Sequence, residues 1–339
     1  METSTPIAGI YEVCIGVEDA MPLIQYWAQF GYAIGQTGEL SPEQAFNLYG
    51  VNSSLRSFRL FHQDSDHGLV RLMIWENPTN EGLKLSSMKL KGNRWTTTLT
   101  ADLMNILNHT EAAVKAGLPI VYTFPYWEII YNQDRPTRPF IDSPTGVREM
   151  LLLQPLTRQV LFQRFNYSLT DYGKINEGAP FKASQITHLG IIVQDDSKEI
   201  LRFYEETLGL LRVRDDDETT YNSSAAAREF FDLQPPEKLI VTAFDDPRSS
   251  TDFKAARSGR LYIIRFPESM NLESCFEKAQ PGCLGMSLYT YRVSDIEEYF
   301  HRIKESNVKR FSEIEINEFG EKSFSFVAPD GYFWTLIAK

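Results

Sequence analysis

YEVCIGVEDAMPLIQYWAQFGY, from Tyr11 to Tyr32, and THLGIIVQDDSKEILRFYEETLGL, from Thr187 to Leu210, are two renderings of one pattern, and that pattern decides the fold. Each opens on an alternating run that ends at a valine, Val17 or Val193, with an aspartate two residues later, Asp19 or Asp195. Alternation at period two predicts a strand. An aspartate just beyond it predicts the start of a helix, because its carboxylate accepts from the unpaired amides of the first turn. The helix carries Leu23, Tyr26, Trp27 and Phe30 on one face in the first copy, and Ile200, Phe203, Tyr204 and Leu208 in the second. It stops at Gly31 or Gly209.

The likeness continues outward. Strand-like runs follow at Leu55 to His62 and Leu69 to Trp75 in the first copy, and at Leu239 to Phe244 and Arg260 to Phe266 in the second. A weaker unit of the same kind begins at Arg94 (RWTTTLTADLMNILNHTEAAVKAGLPI) and another at Gly285 (GMSLYTYRVSDIEEYFHRIKESNV), with Asp102 and Asp295 as caps. These units end in RPFIDSPTGVREMLLLQ and KSFSFVAPDGYFWTLIAK, each a strand, a Pro/Gly turn and a strand. The chain therefore reads as four βαβββ modules in an α+β fold. Punctuation at Asp171, Gly173, Asn176, Gly178 and Pro180 predicts a linker over 156–184, between domains at 1–155 and 185–339.

Four βαβββ modules in two pairs resemble the vicinal oxygen chelate superfamily, which includes glyoxalase I, the extradiol dioxygenases and bleomycin-resistance-type binding proteins. The resemblance implies two cup-shaped domains of paired modules, pairing either within each half or across the halves. It also implies a small-molecule ligand and a divalent metal, Fe, Mn, Ni or Zn, inside a cup. In such proteins the first-strand ligand lies five residues before the closing valine, which selects His188 and Glu12. The same count meets Leu288 and Trp95 in the other modules. The last-strand ligand lies four residues after the hairpin glycine, which falls on Met150 and Thr335; Glu149 sits one residue short. His188 and Glu149 are thus the candidate metal ligands, and His188 and Glu12 the candidate catalytic groups.

Glu12 lies among Val13, Ile15 and Val17, so burial demands a cation, a metal or a proton; Arg292 is one candidate partner. The insertion FPYWEIIYNQDRPTRP, Phe124 to Pro139, offers Tyr126, Trp127, Tyr131, Arg135 and Arg138 as an aromatic, cationic rim or as a subunit interface. Trp95, Trp127, Tyr131 and Arg292 are the candidate substrate contacts. His62 to Gly68, HQDSDHG, reads as a solvated hairpin.

With 34 Lys+Arg against 45 Asp+Glu among 339 residues, the net charge of −11 supplies no counter-charge for nucleic acid or an anionic membrane. No basic and apolar leader or membrane-length apolar window occurs, and Cys14, Cys275 and Cys283 lack metal-knuckle spacing. A cytoplasmic monomer or homodimer is expected. GxSxG, P-loop, GxGxxG and HExxH patterns are absent. Two readings stay open: an enzyme acting on an oxygen-bearing small molecule with an incomplete metal site, and a binding protein without catalysis.

Overall fold

The computed structural model describes residues 6–131, 145–195, 198–249 and 255–339. The first module comprises β1 (Ile7–Val17), α1 (Met21–Gln29), β2 (Tyr32–Leu40), α2 (Pro42–Tyr49), β3 (Leu55–His62) and β4 (Leu69–Trp75). The second comprises β5 (Arg94–Thr100), α3 (Leu103–Lys115), β6 (Val121–Tyr122), β7 (Tyr126–Tyr131), β8 (Thr145–Leu153) and β9 (Arg158–Phe165). In the third, β10 (Ala183–Gln194) leads into α4 (Glu199–Arg202), which continues as a π-helical turn, Phe203–Thr207; β11 (Leu211–Thr220), α5 (Ala225–Phe230), β12 (Lys238–Asp245) and β13 (Arg260–Phe266) follow. The fourth holds β14 (Gly285–Val293), α6 (Ile296–Lys304), β15 (Arg310–Phe311), β16 (Glu315–Ile316), β17 (Lys322–Val327) and β18 (Phe333–Ala338). Asp102 and Asp295 cap α3 and α6 as expected, accepting from Asn105 and Glu298 amides. Gly31 and Gly209 turn the chain with φ of 94° and 76°.

The modules pair across the halves. One sheet runs β15-β17-β18-β14-β1-β4-β3-β2, joining the fourth module to the first; the other runs β11-β12-β13-β10-β5-β9-β8-β6, joining the third to the second. In each, two first strands meet antiparallel at the centre, β1 with β14 and β10 with β5. The expected division into contiguous domains at 1–155 and 185–339 gives way, because the connection from Glu76 to Asn93 carries the chain out of one sheet into the other. The linker expected over 156–184 shortens to 166–182, where Asp171, Gly173, Asn176, Gly178 and Pro180 lie. Gln154 and Thr157 close a tight hairpin through reciprocal backbone bonds, and RQVLFQRF beyond it is β9, parallel to β5.

The four central strands are covered on their convex side by helices from all four modules. One continuous apolar core holds Trp27, Leu103, Leu107, Tyr204, Tyr299 and Trp334. Where the sheets cross, Gly9 and Gly259 let the backbones touch: a Cβ on Gly9 would fall 2.8 Å from Gly259 Cα, and Ile10 N donates to Gly259 O at 2.9 Å. Tyr332 Oη bonds Ile192 N and O and Asn93 O, pinning the sheets together. No described helix is long and apolar enough to cross a membrane.

Candidate active site

Each sheet curls around a cup, and the two cups differ. In the cup of modules one and four, Glu12 is fully buried and both its oxygens are held, by Arg59 Nε and by Arg71 Nη2, with Thr290 Oγ1 donating at 3.0 Å. Glu318 comes in from the turn between β16 and β17, and its carboxylate accepts from Ser57 Oγ at 2.7 Å, Tyr49 Oη at 3.0 Å and Arg71 Nη1 at 3.2 Å. Phe319 lies 4.0 Å from the Arg59 guanidinium carbon. Ion pairs and an aromatic ring fill this cup. Burial alone would raise the Glu12 pKa, but the guanidiniums of Arg59 and Arg71 override it and hold the carboxyl below its ordinary value. The expected general base is therefore a structural anion. Arg292 is not its partner: it pairs with Glu321 at 3.0 Å and lies over Tyr11, in this filled cup.

The cup of modules two and three encloses a cavity of about 900 Å³. Strand register sets its lining. From one rim to the other β13 presents Arg260, Tyr262 and Ile264, while β10 presents His188, Gly190 and Ile192, with His188 opposite Arg260. On β9, which runs the opposite way, the same direction reads Arg164, Phe162, Val160; on β8, Val147, Glu149 and Leu151 stand opposite these. The cup therefore grades from polar to apolar, its far end closed by Trp95, Phe230 and Phe231. The room expected above Gly190 is taken by Trp95: a Cβ there would fall 1.9 Å from the indole.

His188 is half-buried, with Tyr262, Phe162 and Tyr172 rings 5.0, 5.6 and 5.9 Å away. Its Nδ1 lies 3.0 Å from both Thr187 Oγ1 and Tyr172 Oη. Thr187 donates its hydroxyl proton to Thr97 O at 3.1 Å, so Tyr172 Oη is the hydroxyl that pairs with Nδ1. Nε2 has no hydrogen bond among the described residues. Burial, then the guanidiniums of Arg260 and Arg164, push the His188 pKa well below 6.5, so the ring is neutral.

Glu149 stands on β8 among the residues lining the cavity, while the neighbouring Met150 points into the helix-covered core. Its carboxyl has no hydrogen bond or ion pair among the described residues. Burial, then the Glu128 carboxylate, raise its pKa to about 7 against the pull of Arg214. Glu128 itself is fixed at the start of α5, accepting from Ser224 Oγ at 2.8 Å and Ala226 N at 2.9 Å.

These residues do not fit a protein-held divalent metal. The register partner of Thr97 on the true last strand is Val160, as Thr335 is of Thr290 in the other sheet, so the family's last-strand position carries no ligand in either cup. Glu149 comes from the next strand over. It lies three strand spacings from His188, about 14 Å along the sheet. Two guanidiniums near His188 oppose a cation, and no group of three His, Cys, Asp or Glu side chains able to hold a metal occurs among the described residues.

Among the candidate contacts, Trp95 faces the cavity. Trp127 does not: it packs on Phe165, ring centroids 5.0 Å apart, and on Arg148, because period-two alternation turns Glu128 inward and Trp127 outward. The side chain of Tyr131, and Arg135 and Arg138, lie outside the described residues. HQDSDHG is the hairpin turn between β3 and β4, with Gln63, Asp64 and Asp66 exposed as expected, but its two histidines make inward contacts. His62 is buried with Nε2 3.1 Å from Ala183 O, and His67 Nε2 meets Ser258 Oγ at 2.5 Å, so the segment docks the sheets on one another. The cavity residues that sequence reasoning missed are Arg164, Tyr172, Tyr262 and Arg260. The signal for Arg164 was the alternation of Val160, Phe162 and Arg164, hidden inside the supposed linker.

No protein-family model matches the chain, and no curated protein matches it in sequence. Solved structures do resemble it. Glyoxalase I from Zea mays aligns at 12% identity over 97% of this chain and 92% of that one, with a TM-score of 0.53. A point mutant of the same maize enzyme reaches 0.56 at 12% identity over 97% and 92%. A proposed dioxygenase from Bacillus subtilis aligns at 9% identity over 99% and 86%, with a TM-score of 0.55. The chain has the vicinal oxygen chelate fold.

Proposed function

We propose that the cup of modules two and three is the active site of a proton-transfer enzyme acting on an oxygen-bearing small molecule, of the isomerase or lyase type, without a metal held by protein ligands. The observation that carries this reading is Glu149: a carboxyl lining a large cavity, free of partners among the described residues, with a pKa of about 7. Such a group is half ionised at neutral pH, where a general acid–base works best. His188 is too weak a base to share that role and serves instead to orient the substrate, its Nε2 pairing with a substrate oxygen.

Glu149 takes a proton from the carbon beside a carbonyl, the electron pair moves onto the carbonyl oxygen as an enolate, and the proton returns at a neighbouring atom. Tyr262 Oη, which accepts from Arg260 Nη1 at 3.3 Å, keeps its own proton to donate to that oxyanion. Three buried free cysteines suit a reducing compartment such as the cytoplasm.

The test is exchange of acidic α-hydrogens for deuterium, followed by NMR in D2O with a panel of small ketones. Exchange that is catalytic in the native protein and falls at least a hundredfold in Glu149→Gln supports the assignment. Binding without exchange by any member of the panel favours a non-catalytic binding protein instead.

A further inference from the structure

The charges around this cavity do not balance evenly. Arg260 is neutralised by Asp245, its Nη2 reaching Oδ2 at 2.9 Å while Nε bonds Oδ1. Arg214 is paired with Asp217 three residues on. Arg164 differs. Its Nη2 donates to the Tyr172 carbonyl at 2.7 Å, and the rings of Tyr172, Phe162 and Tyr167 stand 5.3, 5.5 and 5.6 Å from its guanidinium carbon. It meets no carboxylate among the described residues, and its buried Nε has no hydrogen-bond partner.

A guanidinium walled by aromatic faces, with only the Tyr172 carbonyl and the Tyr167 hydroxyl as acceptors, is costly unless an anion neutralises it. The cavity it lines is open to such an anion, and register places Arg164 at the polar rim, with Phe162 and Val160 leading from it toward Trp95 and Phe231. Glu149 and Glu128 on the adjoining wall disfavour a second negative charge.

We infer that the cup takes a monoanion with a flat apolar body, an aromatic carboxylate being the simplest such class, its carboxylate on Arg164 and its body lying toward Trp95 and Phe231. This inference rests on the reading of the cup as a ligand site. The charge of a guanidinium suits a carboxylate, and the grading from polar to apolar along the strands gives the ligand one orientation.

Calorimetric titration of the full chain with 2-naphthoate and with its neutral amide, 2-naphthamide, tests it. The expected result is naphthoate bound at least tenfold tighter than the amide. That preference is lost in Arg164→Met and partly kept in Arg164→Lys, which retains charge and guards against a folding failure of the first variant. Ala227→Trp, which fills the cavity beside Phe231, should weaken both probes. Equal binding of both probes by the native chain, weakened by Ala227→Trp, would overturn the role of Arg164 while keeping the cup as a ligand site. Binding of neither, or binding indifferent to Ala227→Trp, would overturn both.

Discussion

Glu12 and His188 occupy the same place in the two sheets: each lies five residues before the valine that closes its strand, Glu12 opposite Thr290 on β14 and His188 opposite Thr97 on β5. Their surroundings separate them. Around Glu12 the neighbouring strands supply Arg59 and Arg71, and the β16–β17 turn supplies Glu318, so the position closes into an ion-pair network. Around His188 they supply aromatic rings, and the position opens on a cavity.

Removing the Glu12 charge should therefore damage the fold and spare the ligand site. Glu12→Gln removes the carboxylate that two buried guanidiniums share, leaving Arg59 with Glu321 and Arg71 with Glu318, a change of about 3 to 5 kcal/mol in urea unfolding, with naphthoate affinity of the folded fraction unchanged. The native carboxyl titrates below its ordinary value, so its stabilisation is present above pH 4.5 and is lost as pH falls into the acid range. Equal stability of native and Glu12→Gln chains at pH 7 would contradict the network.

Trp95 lies across Gly190, so Gly190→Ala forces the indole to move. The added methyl should destabilise by about 1 to 3 kcal/mol, as overpacking does, and should weaken ligand binding because the ring is displaced toward the cavity. A Tm unchanged within a degree would show that the indole has another place to go.

How far these features could be read from sequence differs by level. The modules were legible because each repeats a strand, a capped helix and a glycine stop; Arg260 to Phe266 and Leu69 to Trp75 even begin and end where read. Their pairing was not, since nothing in a local pattern says which of two identical strand edges a first strand will choose. Glu149 was found as a residue but assigned to the wrong strand, because the Gln154–Thr157 hairpin looks like the start of a linker. Arg164 went unnoticed for the same reason. Trp127 misled because aromatic content says nothing about which face of a strand it is on.

His188 should stay neutral well into acid. In histidine-ring 15N spectra of the native chain, assigned with His188→Gln, the neutral imidazole should persist well below pH 6.5. A midpoint near 6.5 would mean that the ring is hydrated and that Arg260 and Arg164 do not act on it. His188→Gln should weaken ligand binding with little change in Tm.

The raised Glu149 pKa makes the native chain bind a proton that the unfolded chain releases near its ordinary 4.5. Its contribution is intact below pH 4.5 and disappears as pH rises through about 7, where ionising it inside the cup costs up to roughly 3 kcal/mol. Glu149→Gln should match the native chain at pH 4 and exceed it at pH 8.5 in urea midpoint. A variant less stable at pH 8.5 would reverse the assigned sign.

The central claim, that the cup of modules two and three holds a carboxyl poised for proton transfer at neutral pH, is tested most directly by the titration of Glu149 itself. Carbon-13 NMR of glutamate side-chain carboxyls, with the resonance identified by its disappearance in Glu149→Gln, reads that midpoint without knowledge of the substrate. The account predicts a midpoint at about 7. A midpoint near 4.5, among the exposed glutamates, would contradict it.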